Sequence, residues 1–98
     1  MNGAAEAAIG TVKRTLAIAN KRGLHARAAA KFVRTAGQFD AAIRVSFKGQ
    51  EVSGLSIMGL MMLAAGIGSS IELSCSGKQA TAAMAALSAL VESKFGED

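Results

Sequence analysis

Two stretches of the sequence alternate between apolar and polar residues, and this alternation limits the folds that the chain can adopt. The stretches are "AIRVSFKG" (42–49) and "SSIELSCSG" (69–77). A strand with this period of two has one face in a core and the other in water. Such strands are typical of antiparallel sheets, because strands in parallel sheets are apolar on both faces. The residues predicted to face the core are Ile43, Val45, Phe47, Ile71, Leu73 and Cys75.

The remaining segments supply two more strands and three helices. "VKRTLAIAN" (12–20) reads as a first strand, and "EVSG" (51–54) forms a hairpin with the strand before it. Apolar residues at helical spacing predict helices that begin near His25, after Ser56 and from Lys78. The order is β-α-β-β-α-β-α. We therefore predict an α+β fold in which a mostly antiparallel sheet carries the helices on one side.

The first predicted helix has an apolar stripe and a stop signal. Ala26, Ala29, Val33 and Ala36 recur at intervals of three and four residues. This spacing places the four residues on one face, which we predict to be buried. Gly37 follows them and is a suitable C-cap.

Chain length and composition indicate one domain. A chain of 98 residues with 51% apolar residues can form one core. We predict a flexible leader over residues 1–11 and a single domain over 12–98. No apolar run approaches the roughly 20 residues of a membrane span, and no secretory signal is evident. The one cysteine excludes an internal disulfide and fits a reducing cytoplasm. We also expect a cytoplasmic monomer with no membrane partner.

Positive charge is concentrated in one part of the chain. Residues 13–34 hold seven of the 11 Lys and Arg residues, and no acidic residue occurs between Glu6 and Asp40. One end of the fold should therefore carry a positive field that suits an acidic partner or a phosphate group.

The only histidine, His25, lies in this basic region. A lone histidine is most often a surface or structural residue. However, Gly23 makes the preceding backbone permissive, and Arg27 falls in the first turn of the predicted helix. The positive end of a helix favours neutral, nucleophilic imidazole, and its free N–H groups can bind a tetrahedral anion. Arg27 could add charge-assisted hydrogen bonds to that anion.

These features indicate an imidazole that attacks phosphorus. They do not indicate a hydrolase, because no carboxylate or second histidine is near in sequence. Metal ligands are also lacking, so we expect neither a metal nor a cofactor.

Two further surfaces are open to two interpretations each. Arg27, Lys31 and Arg34 form a helical stripe that is either a docking surface for acidic proteins or a solvated face. "SIMGLMMLAAG" (56–66) has too many apolar residues for one buried stripe, so it is either wholly covered or half exposed as a docking patch. Ser56 is suited to be the N-cap of this short helix.

Two functions of other classes remain alternatives at this point. The basic composition permits a nucleic-acid-binding module, although the absence of Tyr and Trp leaves few stacking platforms, and we expect no nucleic acid partner. The methionine-bearing segment permits a regulatory interaction protein that is not phosphorylated.

"NKRGLHARAAAKFV" (20–33) and "SGLSIMGLMMLAAGIGSSIEL" (53–73) resemble the histidine-containing phosphocarrier protein family, HPr. The resemblance extends from about Leu16 to Phe95. "HARAAAKFV", "SIMGLMMLAAG" and the ending "FGED" are most similar to the nitrogen-regulatory branch, NPr.

The resemblance implies an open-faced β-sandwich, in which a four-stranded antiparallel sheet has three helices on one face. It implies a carrier, not an enzyme: His25 is phosphorylated at Nδ1 by enzyme I, with phosphate from phosphoenolpyruvate, and passes it to an enzyme IIA protein. The role would lie in sugar uptake or in nitrogen-linked regulation. Many relatives have proline where this chain has Ala28. The other residues to which the resemblance gives roles are Arg27 beside the phosphate, Ser56 as the target of HPr kinase/phosphorylase, and Ile57, Met58 and Met61 as the apolar docking surface.

Overall fold

The computed structural model describes residues 10–97 and has the predicted order of elements. The predicted leader over residues 1–11 lies outside the described residues except for Gly10 and Thr11, and Thr11 already belongs to the first strand. A 3₁₀ turn after the last helix was not predicted. The elements are β1 (Thr11–Ala17), α1 (Ala26–Ala36), β2 (Ala42–Phe47), β3 (Gln50–Ser53), α2 (Ile57–Met62), β4 (Ser70–Ser76), α3 (Ala80–Glu92) and the 3₁₀ turn (Lys94–Gly96).

The four strands form one antiparallel sheet in the order β1-β4-β2-β3. The second alternating stretch becomes β4, which lies in the middle of the sheet and pairs with both β1 and β2. The predicted hairpin is confirmed as β2 and β3. The helices cover one face of this sheet, and the other face is polar, so the fold is the open-faced α+β architecture.

The core lies between the sheet and the helices. Most of the predicted inward-facing strand residues are buried, and Phe47 is half-buried. Helix α3 also packs through apolar residues at helical spacing, among which Leu87 and Val91 are fully buried. Each strand therefore uses its period of two to bury one face, as the alternation predicts.

The predicted stripe of α1 is wrong at two positions. Ala26 is exposed and Val33 is only half-buried, whereas the fully buried set includes Ala28 and Phe32. Phe32 is the largest apolar side chain of the helix, and its burial removes more apolar area from water than that of any alanine. The helix is therefore rotated toward Phe32, and Ala26 lies at the open N-terminal end.

None of the helices among residues 10–97 is both long enough and apolar enough to cross a membrane.

Candidate functional site

The loop between β1 and α1 places His25, and Gly23 determines its path. Gly23 has a φ of +62°, a conformation that residues with a side chain rarely adopt. A Cβ at this position would lie 2.5 Å from the carbonyl oxygen of Ala65. This close approach brings the amide of Leu24 within 3.0 Å of the same oxygen, which accepts its hydrogen bond. The permissive glycine of the sequence is therefore a requirement of the tertiary structure.

His25 is the N-cap residue of α1, as predicted. Its backbone is extended, and its carbonyl oxygen accepts the first helical hydrogen bond, from the amide of Ala29 at 2.9 Å. The imidazole does not cap the helix, so it makes no hydrogen bond to the amides of the first turn. Those amides have no partner within the helix and present a partial positive charge to an anion.

The imidazole is held by Glu97, at the far end of the described chain. Nε2 of His25 lies 2.6 Å from Oε2 of Glu97, and the two side chains are only 19% and 15% exposed. The fully buried side chain of Asn20 donates from Nδ2 to Oε1 of Glu97 at 3.1 Å and to the carbonyl oxygen of Gly23 at 2.9 Å. Both carboxylate oxygens are thus hydrogen-bonded.

This environment favours the ionised form of Glu97. The hydrogen bond from His25 is the largest cause that lowers the pKa of Glu97, burial opposes it, and Asn20 and the charge of Lys31 add to the lowering. An ionised carboxylate can only accept hydrogen bonds, so the 2.6 Å contact assigns a proton to Nε2. In a neutral ring, Nδ1 then holds the free electron pair. Among residues 10–97, Nδ1 has no hydrogen-bond partner.

Glu97 also lines a cleft together with basic residues. A cleft of about 420 Å³ is lined by four cationic residues together with Gly96 and Glu97. Arg27 is exposed in the first turn of α1, two residues after His25. The four cationic residues are Lys21, Arg22, Arg27 and Lys31. The cleft can therefore hold an anion of more than one negative charge.

The predicted basic stripe of α1 is not uniform. Arg27 and Arg34 are exposed, but Lys31 is half-buried and donates from Nζ to the carbonyl oxygen of Phe95 at 2.6 Å. Lys31 therefore fastens the C-terminal turn to α1 as well as adding charge to the cleft.

The apolar segment around α2 is mostly uncovered. Leu60 and Leu63 are buried, but Met58 is 67% exposed and Met62 is 73% exposed. Full burial of the segment, one of the two interpretations, is wrong, and the exposed part is larger than the expected half. The exposed large apolar residues here are Leu55, Ile57, Met58, Met61, Met62 and Ile67.

Ser56 is the N-cap of α2, as predicted. Its Oγ accepts a hydrogen bond from the amide of Gly59 at 2.9 Å. The side chain is partly exposed, so the hydroxyl lies at the edge of the exposed apolar surface.

Within residues 10–97, no group of three or more His, Cys, Asp or Glu side chains is arranged to bind a metal ion.

A comparison with protein-family models identifies the family of this chain. Residues 12–93 match the family described as "PTS HPr component phosphorylation site". The chain belongs to the HPr family. Members of this family are phosphocarriers of the phosphotransferase system and interact with its enzymes.

Relatives in the HPr family are similar over nearly their whole length. The chain is 49% identical to the phosphocarrier protein HPr of Cupriavidus necator over 86 residues, which are 88% of this chain and 97% of the relative. It is 44% identical to the phosphocarrier protein NPr of Shewanella violacea, over 88% of this chain and 94% of the relative. Both branch names therefore occur among its relatives.

Solved HPr structures confirm the fold. A crystal structure of HPr from Thermoanaerobacter tengcongensis aligns with a TM-score of 0.85 at 45% identity, over 89% of this chain and 98% of that one. HPr from Bacillus anthracis aligns with a TM-score of 0.79 at 42% identity, over 83% of this chain and 96% of that one.

The sequence did not single out two residues of this HPr-family site. Asn20 opens the stretch "NKRGLH" and received no role, and Glu97 lies 72 residues after His25. No local pattern connects residues so distant. Asn20 stands out only as an asparagine among basic residues, and Glu97 only as part of the ending "FGED". Neither feature predicts a contact with His25.

Proposed function

We propose that this chain accepts a phosphoryl group from enzyme I on Nδ1 of His25 and passes it to an enzyme IIA protein. The observation that supports this most directly is the hydrogen bond between Nε2 of His25 and Glu97. It leaves Nδ1 as the ring nitrogen with a free electron pair at the start of a helix. Membership of the HPr family adds the phosphoryl-carrier activity to which this geometry is suited.

The transfer needs placement and charge more than proton movement. The phosphoryl group would move in line between the donor imidazole and His25, and its oxygens would be bound by the free amides of α1 and by Arg27. One guanidinium and a few amides hold the group less tightly than a closed cationic pocket would. This suits a carrier, which must release phosphate as readily as it accepts it.

The docking surface that we propose combines the basic and apolar residues beside His25. Exposed methionines can adapt to more than one partner, which a carrier between two proteins requires. The exposed arginines of α1 would form a basic rim and attract acidic partners. The residues of this surface are Arg27, Lys31, Arg34, Ile57, Met58 and Met61.

A mass measurement tests the phosphorylation site. Incubation with phosphoenolpyruvate and enzyme I should add one phosphoryl group that is lost in acid. His25→Ala should gain none. Arg27→Ala should slow the transfer, whereas Lys13→Ala, which removes the same charge from the open face of the sheet, should leave it unchanged. Equal phosphorylation of His25→Ala and the unaltered chain would refute the proposal.

The downstream acceptor is tested by competition. The phosphorylated chain is offered an enzyme IIA protein of sugar uptake and one of nitrogen-linked regulation in equal amounts. The branch is read from the acceptor that gains phosphate faster, and failure to transfer to either would exclude a carrier role.

We further propose that Ser56 is a regulatory phosphorylation site for HPr kinase/phosphorylase. A phosphate there would add about two negative charges at the start of α2, beside the apolar surface. It should strengthen the helix but repel acidic partners. Ser56→Asp should therefore accept phosphate from enzyme I more slowly than Ser56→Ala. Equal rates in the two variants would contradict this regulation.

A further inference from the structure

We propose that Glu97 and Asn20 are positioning residues that keep the proton of the His25 ring on Nε2 throughout phosphoryl transfer. The proposal rests on the proposed function of His25. Its geometric basis is a continuous chain of hydrogen bonds, from Asn20 to Oε1 of Glu97 and from Oε2 of Glu97 to Nε2 of His25. Neither residue needs to touch the phosphoryl group.

The carboxylate selects one of the two neutral forms of the ring. A neutral imidazole carries its proton on either nitrogen, and the hydrogen bond of one nitrogen determines the state of the other. Glu97 accepts at 2.6 Å in a site where both side chains are mostly buried. A proton on Nε2 is therefore favoured, and Nδ1 keeps the electron pair that attacks phosphorus.

The same hydrogen bond serves both directions of transfer. When the Nδ1 pair forms the new bond to phosphorus, the bond from phosphorus to the donor nitrogen breaks and its pair stays with the donor. The His25 ring then carries a positive charge, with phosphorus on Nδ1 and the proton on Nε2, beside the Glu97 carboxylate. On delivery the Nδ1–phosphorus bond breaks, its pair returns to Nδ1, and the ring is neutral again. No proton leaves Nε2 at any step.

The C-terminal turn holds Glu97 in place at a conformational cost. Lys94 and Phe95 have φ values of +59° and +56°, which are unfavourable for residues other than glycine. The turn persists because Phe95 is fully buried and because Lys31 binds its carbonyl oxygen. Tertiary contacts thus determine this conformation, which places the Glu97 carboxylate beside the His25 imidazole.

Asn20 in turn holds the carboxylate. Its side chain is fully buried, and its one amide group joins Glu97 to the backbone of Gly23. The loop that positions His25 and the turn that positions Glu97 are therefore connected through one side chain.

Nitrogen NMR of the His25 ring in the unphosphorylated full chain tests the proposal directly. With the ring neutral, the unaltered chain should show the proton predominantly on Nε2. Glu97→Ala should show a mixture of both forms, because the acceptor is gone. Glu92→Gln is the control, since Glu92 is exposed on α3 and forms its ion pair with Arg14, and it should match the unaltered chain.

Transfer kinetics supply the second measurement. Glu97→Ala should lower kcat for phosphorylation by enzyme I about 10-fold to 100-fold, the range expected for one charge-assisted hydrogen bond, with KM nearly unchanged. Glu97→Asp should restore part of the loss. Asn20→Ala should also shift the ring toward a mixture of the two neutral forms. If Asn20→Ala does not fold, Glu97→Ala alone tests the proposal.

An unchanged ring form and an unchanged kcat in Glu97→Ala would overturn the proposal. A loss that appears in KM alone would overturn it as well, because it would mean that Glu97 contacts the partner. If the unaltered chain accepted no phosphate, the proposed function would fail, while the NMR comparison would still decide whether Glu97 holds the proton on Nε2.

Discussion

Replacing Gly23 by alanine tests whether the approach of one loop to another places His25. The new Cβ would lie 2.5 Å from the carbonyl oxygen of Ala65 and 2.8 Å from Cα of Gly66, and both are backbone atoms that cannot rotate away. The residue would also have to keep a φ of +62°. Either the loop moves or the contact is strained, and in both cases the start of α1 is displaced.

The expected cost follows from three contributions. The left-handed backbone costs an alanine about 1–2 kcal/mol. Overpacking costs about 1–3 kcal/mol. Loss of the Leu24–Ala65 hydrogen bond adds about 0.5–1.5 kcal/mol. Alanine also restricts the unfolded chain, which returns about 0.4–1 kcal/mol. Gly23→Ala should therefore lower the free energy of unfolding by about 1.5–6 kcal/mol.

Gly49→Ala is the matched control. Gly49 has a φ of +81°, but no atom lies within 4 Å of the position that its Cβ would occupy. Gly49→Ala should therefore show only the cost of the left-handed backbone, reduced by the smaller conformational freedom of its unfolded chain. The net loss in the free energy of unfolding should be about 1 kcal/mol. The difference between the two variants isolates the steric contact.

Urea unfolding followed by circular dichroism at a helix wavelength measures both variants, since the chain has no Trp or Tyr for fluorescence. Gly23→Ala should also accept phosphate more slowly, because His25 moves with the loop. If Gly23→Ala were no less stable than Gly49→Ala, the close approach would not contribute to stability and the reasoning would be refuted.

Three further predictions concern capping, the core and pH. Ser56→Ala removes the hydrogen bond to the amide of Gly59 and should lower the urea midpoint by the equivalent of about 1 kcal/mol; no change would mean that water replaces the cap. Leu73→Ala, at a fully buried position, should cost about 2–5 kcal/mol in the same assay, and a cost below that would indicate collapse of the cavity. The pKa of Glu97 lies below its ordinary value of 4.5, chiefly through His25, so its ionised form contributes stability that is complete above about pH 4.5. The stability difference between the unaltered chain and Glu97→Gln should therefore shrink as the pH falls below about 4.5 and passes the lower pKa that Glu97 has in the folded state. A difference that does not change with pH would contradict the hydrogen-bonded pair of His25 and Glu97.

The strands were predictable because their signal is local and strong. Residues such as Ile71 and Leu73 alternate with polar neighbours, and the alternation alone specifies which side of the strand meets the core. The stripe of α1 was less predictable. Ala26 and Ala29 look alike in sequence, and only the packing of Phe32 decides which way a helix rich in alanine faces.

The sequence by itself determined the order of elements, the antiparallel character of the sheet, and the presence of an imidazole and an arginine at the start of a helix. These features depend on neighbours within a few residues, where backbone geometry connects pattern to structure. Only the tertiary structure brought Glu97 to Asn20 and to His25, across separations of 77 and 72 residues along the chain. A contact at that distance depends on how the whole core packs, in particular on where Phe95 is buried, and no local pattern carries that information.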